Sequence, residues 1–427
     1  QIAGPISDNV SLYASARYNE WDGHNNNWIR ELGGISANQF QYNYVSDIDS
    51  PSKSDKETTA LHLELVWEND GFDMTYITSY TDTEAVRPVD VDLVYELWFD
   101  AVQTEEFETT THELRFASNS DSNLQWQAGI YALNFEKEER STQTFGAWAG
   151  GPFTVRGAWF DAEREHLAAF ANISYESGPW AIDLGLRADS WEQSLDMVDT
   201  EQTGFVHSNK IDGTEVLPRL SVSRKLENDS MVYATVSLGY EPGGVGYAPA
   251  LFDANNNPIV PTWEPEEATQ FELGWKGSFG DGRGTASIAA FMIDYSDRVF
   301  TSVVAMPDGS LIESNANVGD SENTGLELEV AVQVTENLLL SGAIGFLDAE
   351  WDDGTLINGV DMSGTTPAGA IDDGMALAAN YVKPMANGME FVFDMQFNYR
   401  GKMRTMPPAS PMDNEDYHTL NVAAGIK

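Results

Sequence analysis

The stretch EVLPRLSVSRKLENDSMVYATVSLGYEPGG, residues 215–244, lays out the plan of the whole chain. Val216, Pro218, Leu220, Val222 and Leu226 fall on one side of a period-two pattern, with Arg219, Ser221, Ser223 and Lys225 on the other. Only Arg224 breaks the alternation. After Glu227-Asn228-Asp229 the pattern resumes: Val232, Ala234, Val236, Leu238 and Tyr240 oppose Tyr233, Thr235, Ser237 and Glu241. Side chains alternate across an extended strand, so these are two antiparallel strands with one apolar and one polar face, joined by a hairpin turn. Strands of soluble sheets usually run about 5–6 residues, whereas a tilted strand needs about 9–11 to cross a bilayer. Both arms match the longer value. Beyond them, Glu241-Pro242-Gly243-Gly244 opens a long polar segment.

The same asymmetry recurs along the chain. Tight turns are expected at 6–9, 68–71, 119–123, 176–179, 227–229, 280–284, 335–337 and 385–388. Alternating strands flank them. Leu61, Leu63, Leu65 and Trp67 precede the second turn, and Trp180, Ile182, Leu184 and Leu186 follow the fourth. Leu326, Leu328, Val330 and Val332 precede the seventh, opposed by Glu327, Glu329 and Gln333. Between the hairpins lie polar segments at 20–57, 87–108, 146–163, 198–214, 243–267, 305–321, 353–374 and 404–418. A compact soluble domain rarely carries so many connections beyond about 12–15 residues. Short turns at one end and long loops at the other are the rule for outer-membrane barrels, with the turns periplasmic and the loops extracellular. The expected fold is all-β, an antiparallel transmembrane β-barrel, with about sixteen strands recognisable.

Composition narrows the alternatives. The chain has 427 residues, no cysteine and a net charge of −45. Without cysteine there is no disulfide scaffold and no thiolate metal site. No run of 18 apolar residues is present, so no transmembrane helix is expected. Gln-Ile-Ala-Gly-Pro at the start has neither the basic nor the apolar region of a signal peptide. The excess of 68 acidic over 23 basic residues disfavours nucleic acid as a partner. A β-propeller would need four short strands per repeat and a recurring signature, and a sandwich would need guarded edges. Trp21, Trp67, Trp126, Trp180, Trp191, Tyr240 and Trp275 stand near strand ends, which suits the aromatic girdles of a barrel or ordinary core packing.

Several motifs, jointly and in order, resemble those of TonB-dependent outer-membrane receptors of the iron-siderophore type. MVYATVSLGYEPGG, with Tyr240, Pro242, Gly243 and Gly244, resembles the strand entering a family loop. Pro265-Glu266 followed by FELGWKG, with Glu272, Gly274 and Lys276, resembles a second family segment. Asn317-Val318-Gly319 followed by Gly325-Leu326-Glu327-Leu328-Glu329 resembles a third, and HELRFAS at 112–118 adds a weaker match. The resemblance implies a barrel of 22 strands in its complete form. It also implies an N-terminal plug, a TonB-contacting box and an aromatic final residue, none of which is seen here, so a barrel segment of a longer receptor is expected. It further implies a Gram-negative outer-membrane location, TonB and lipid as partners, and a small-molecule ligand bound between the plug and the outer loops. Further outer-membrane subunits are a compatible partner.

No catalytic constellation emerges, and no enzyme activity is expected. His24, His62, His112, His166, His207 and His418 are scattered without a pair at ligand spacing. There is no P-loop and no H-E-x-x-H. Asp348, Glu350, Asp352 and Asp353 offer oxygen atoms of the kind calcium takes, without an EF-hand spacing, and a solvated acidic loop reads equally from them. No cofactor or resident metal is expected, although the transported ligand could carry iron. Trp148, Phe153, Trp159, Tyr247, Phe252 and Trp263 are the loop aromatics expected to stack on a ligand, with loop packing as the alternative. Two other functions remain open: a passive porin-like channel and a secreted β-rich adhesion protein.

Overall fold

The structure, a computed structural model, describes residues 1–24, 53–90, 99–146, 152–198, 206–227, 230–246, 261–305, 311–386, 388–404 and 413–427. Its strands are β1 (Ile2–Ser7), β2 (Val10–His24), β3 (Lys53–Asn69), β4 (Phe72–Asp90), β5 (Phe99–Ser118), β6 (Leu124–Phe145), β7 (Phe153–Ser177) and β8 (Trp180–Val198). Next come β9 (Val206–Lys225), β10 (Met231–Glu241), β11 (Gly244–Val245), β12 (Thr262–Trp263), β13 (Glu266–Phe279), β14 (Gly284–Ala305) and β15 (Leu311–Thr335). The chain ends with β16 (Leu338–Trp351), β17 (Leu356–Ile357), β18 (Val360–Asp361), β19 (Asp373–Pro384), β20 (Glu390–Arg400), β21 (Met403–Arg404), β22 (Asp413–Asn414) and β23 (Tyr417–Ile426).

The long strands form one 17-stranded antiparallel sheet in which each pairs with the next along the chain, so the wall is an up-and-down meander. The expected tight turns at 6–9, 68–71, 119–123, 176–179, 280–284 and 335–337 are present. The antiparallel pairs β9–β10 and β19–β20 flank those expected at 227–229 and 385–388, which lie partly outside the described residues, and the long connections alternate with the turns. Three short pairs, β11–β12, β17–β18 and β21–β22, lie within those connections. The seventeen strands of this sheet among the described residues agree with the expectation of about sixteen. The expected loops were too long at their ends: β7 begins at Phe153, β9 at Val206 and β15 at Leu311. Phe153 and Trp159 are therefore strand residues rather than loop residues. The reason is that these strands run far past a bilayer, up to 25 residues in β7 and β15. There the alternation of apolar and polar side chains that betrays a half-lipid strand fades.

Register joins the apolar positions into continuous rows. Trp126, Ile173, Leu184, Leu220, Val236, Phe271 and Met292 stand directly across from one another on successive strands β6 to β14. The adjacent row reads Leu124, Tyr175, Ile182, Val222, Ala234, Leu273, Ala290, Leu326 and Phe346. Most of these large side chains are exposed, which identifies the outward, lipid-facing surface of a barrel. Leu328 and Val330 share it, whereas Glu327 and Glu329 face inward. Arg224 falls on the outward face too, where its guanidinium lies 5.2 Å over the Trp180 ring beside a turn. There its stem can lie along apolar surface while the charge reaches water.

Toward the loop ends the outward face changes character. Glu20, Glu57, Glu84, Glu106, Glu138, Asp161 and Asp196 form a row of direct cross-strand partners from β2 to β8, every one exposed. The inward neighbours Ala85, Glu105, Ser141, Leu195 and Met197 are buried.

Candidate functional site

The inner wall carries the motif residues singled out in the sequence. On β13, Glu272, Gly274 and Lys276 all point inward, since they alternate with Phe271, Leu273 and Trp275. The Tyr233 ring lies flat over Gly274, where any Cβ would overlap it. Its hydroxyl donates to Glu272 Oε1 at 2.6 Å, while Lys276 Nζ sits 5.3 Å from the ring centre. Gln270 Nε2 donates to the other Glu272 oxygen at 3.1 Å. The Phe291 ring covers Gly325 in the same way. Thus the glycines of both motifs are seats for aromatic rings on the neighbouring strand. Below them, Lys276, Ser287, Glu329, Ala343 and Gln396 line an open concavity of about 830 Å³.

Higher on the wall, Trp191 is the focus. It was expected in an outer girdle, yet it points inward and is only 2% exposed. Its indole rests against Gly213 and Gly243, beneath the hairpin formed by β11 and β12. Gly244 and Val245 pair with Trp263 and Thr262, and Gly246 N donates to Pro261 O at 2.8 Å. Trp263 therefore does lie in the connection where it was expected, held as a short strand. Beside Trp191, Arg187 Nη2 bonds Asp189 Oδ2 at 3.0 Å, and His166 Nδ1 lies 3.6 Å from Asp189 Oδ1. The Arg187 guanidinium stacks 5.6 Å over Tyr131. Tyr240, also expected in a girdle, approaches Asp189, Arg187 and Glu215 instead. The pairing of β10 with β9 ends at Ser237, while its pairing with β13 runs on to Glu241, so Tyr240 stands on a stretch of β10 paired on one side. Trp67, Trp126, Trp180 and Trp275 keep the expected girdle position beside the turns.

The remaining motif residue is a joint. Asn317 Oδ1 accepts from Glu264 N at 2.8 Å, and its Nδ2 donates to Glu264 O at 3.0 Å and Asp297 O at 2.6 Å. Two residues on, Glu266 accepts from Val299 N at 2.9 Å and faces Arg298. Arg298 also bonds the buried Ser321 and lies 5.1 Å from the Trp351 ring. Trp351, Ile357 and Met362 form a small buried cluster with Phe300 and Val318 packed against it.

Of the aromatics expected to touch a ligand, Phe153 stacks on Phe145 at 5.4 Å and Trp159 carries the Arg140 guanidinium at 5.6 Å. Trp148, Tyr247 and Phe252 lie outside the described residues. Carboxylates gather in two places on the outward face. Asp82, Glu106 and Glu108 bring their oxygens within 4.8 Å of one another. Asp348, Glu350, Asp352 and Asp353 join Asp320 and Glu322 around an open cleft. Burial, then the charges of Asp320, Glu322, Asp294 and Asp353, push the Asp352 carboxyl above its ordinary value. Oxygen-only clusters of this kind suit hard cations, but each of these is open to solvent. In the sequence Arg187 and Asp189 show only as polar positions opposing the apolar run from Trp180 to Leu186, on the face expected to meet the lumen, and Trp191 is out of phase with that run.

Comparison with known proteins agrees with this wall. A family model described as "TonB dependent receptor-like, beta-barrel" matches residues 3–427. The probable TonB-dependent siderophore receptor PiuA of Acinetobacter baumannii is 28% identical over 196 residues, 45% of this chain and 25% of that protein. The metal-pseudopaline receptor CntO of Pseudomonas aeruginosa is 27% identical over 176 residues, 41% of this chain and 22% of that protein. The crystal structure of the ferric yersiniabactin uptake receptor FyuA from Yersinia pestis superposes with a TM-score of 0.78 at 17% identity, covering 99% of this chain and 61% of that one. The chain thus spans less than two thirds of each of these three proteins.

Proposed function

We propose, from the premise that this chain belongs to the TonB-dependent receptor family of outer-membrane β-barrels, that its protein imports a scarce small ligand, a ferric siderophore or a similar metal chelate, with energy delivered through TonB. The family match along nearly the whole chain carries this reading. The names of the relatives, a siderophore receptor and a metal-pseudopaline receptor, favour a chelate as cargo. The family consists of transport receptors, and transport of this kind needs no bond-making chemistry from the wall. Any metal would travel as cargo. TonB would act through the plug and box that family resemblance implies.

Of the aromatics expected to meet the ligand, Trp263 has the position that best suits the role, at the root of a hairpin lying over the inner wall. The test is uptake of radio-iron supplied as a panel of chelates to cells that express the full-length protein as their single receptor. Import of one chelate that stops when TonB is removed supports the proposal. Import that continues without TonB would identify a passive channel instead, and no import of any chelate would exclude this class of cargo.

A further inference from the structure

We infer that Asn317 is a positioning residue that bolts two separate loop roots into one unit: the β11–β12 hairpin over Trp191, and the β17–β18 lobe packed against Trp351. Its side-chain amide has one acceptor and two donor hydrogens, and all three are used. Two of those bonds grip Glu264 at both its N–H and its carbonyl, the two-point contact that a neighbouring strand would otherwise supply. Glu264 directly follows Trp263, the residue paired with Gly244 over the inner wall. The third bond reaches Asp297, which sits with φ of 55° at the bulge where the β14–β15 register shifts.

From Asp297 the path continues. Its N–H donates to Asp320 Oδ1 at 2.9 Å. The Asp320 carbonyl accepts from Asp352 N at 3.0 Å and from Thr355 Oγ1 at 3.4 Å. Thr355 is buried at the start of the lobe whose Ile357 and Met362 cover Trp351. An unbroken chain of hydrogen bonds thus runs from the hairpin root through Asn317, Asp297 and Asp320 to the lobe. Glu266 adds a second link on the hairpin side, through Val299 and Arg298, but among the described residues Asn317 is the side chain that holds both Glu264 and Asp297.

The amide is required at this position for a chemical reason. Alanine would strand one N–H and two carbonyls. Aspartate would keep the acceptor for Glu264 N, lose both donors and set a negative charge against two carbonyl oxygens. Hydrogen exchange on the full-length protein in detergent micelles tests the assignment with Asn317→Ala, Asn317→Asp and the control Asn315→Ala. Both Asn317 variants should exchange about tenfold faster at residues 244–246 and 262–264 and also at 352–365, with aspartate no better than alanine. Asn315→Ala should leave both regions as in the wild type.

Asp320→Ala provides the second arm: it removes the carboxylate that accepts from Asp297 N, between Asn317 and the lobe, and spares every bond Asn317 makes as well as those of the Asp320 carbonyl to Asp352 and Thr355. Because coupling is reciprocal, it should loosen the hairpin as well as the lobe. Faster exchange confined to the mutated side in either arm would overturn the coupling. Unchanged exchange in both Asn317 variants, or the same loosening in Asn315→Ala, would overturn the role of Asn317 itself.

Discussion

The two halves of β8 are built on opposite plans. Near the turn, Trp180, Ile182, Leu184 and Leu186 face outward, and Asp183 and Arg187 face inward. Past Ala188 the outward positions become Glu192, Ser194 and Asp196, while Trp191, Leu195 and Met197 are buried on the inner side. The register of β8 with β7 and with β9 is continuous through this point, so no bulge turns the strand over. What changes is the solvent. Lipid bathes the outside of the lower half, so the apolar side chains go there. Water bathes the outside of the upper half, so the same strand must bury its apolar side chains against its own interior. β16 repeats the switch, from Leu340, Ile344 and Phe346 outward to Ala349 and Trp351 buried within.

The comparison is sharpest where the two halves should answer differently to substitution. Trp191→Ala removes a packed indole from the upper interior and should cost about 3–5 kcal/mol, read from urea unfolding in detergent. A loss under about 1 kcal/mol would mean that the hairpin above it is not seated. Arginine at Leu184 or at Val330, in the outward lower half, should cost about 2–4 kcal/mol of folding into lipid vesicles. Asp196→Arg, outward on the same strand as Leu184, should fold as well as the wild type, as should the inward Glu329→Arg. Equal yields for Leu184→Arg and Asp196→Arg would erase the distinction between the halves.

The smallest effect is titration at the loop end of β16. The Asp352 carboxyl holds its proton more tightly when folded than in the unfolded chain, because of burial first and the nearby carboxylates second. Its contribution is therefore fully present below the ordinary aspartate value of 3.8 and is lost as pH rises through the raised folded value. Trp351 emission during urea unfolding should report a lobe that loosens slightly across that window. Asp352→Asn should flatten the dependence.

The fold was legible because lipid on one face and water on the other impose a strict period of two. Leu326, Leu328 and Val330 against Glu327 and Glu329 can be read without coordinates. The upper wall was not, because its apolar side chains return to the interior and the phase slips by one residue. For that reason the sequence spells Phe153 and Trp159 as loop aromatics and Trp191 as part of a girdle. The site was harder still. Tyr233 and Gly274 meet across two strands joined by a long connection, and Asn317 reaches a residue 53 positions away. Motif spelling marked Gly274 and Asn317, but only the register shows that one is a seat and the other a joint.

The row from Glu20 to Asp196 makes the salt of the surrounding water part of the wall. Six successive pairs of carboxylates stand face to face, one of them, Glu138 and Asp161, bridged by Arg140, and like charges placed directly opposite weaken a sheet. Dissolved salt shortens the reach of that repulsion, from about 30 Å at 0.01 M to about 8 Å at physiological strength. The outer rim should accordingly be tighter in brine than in fresh water, while the lipid-clad half below, whose outward rows carry almost no charge, should scarcely respond.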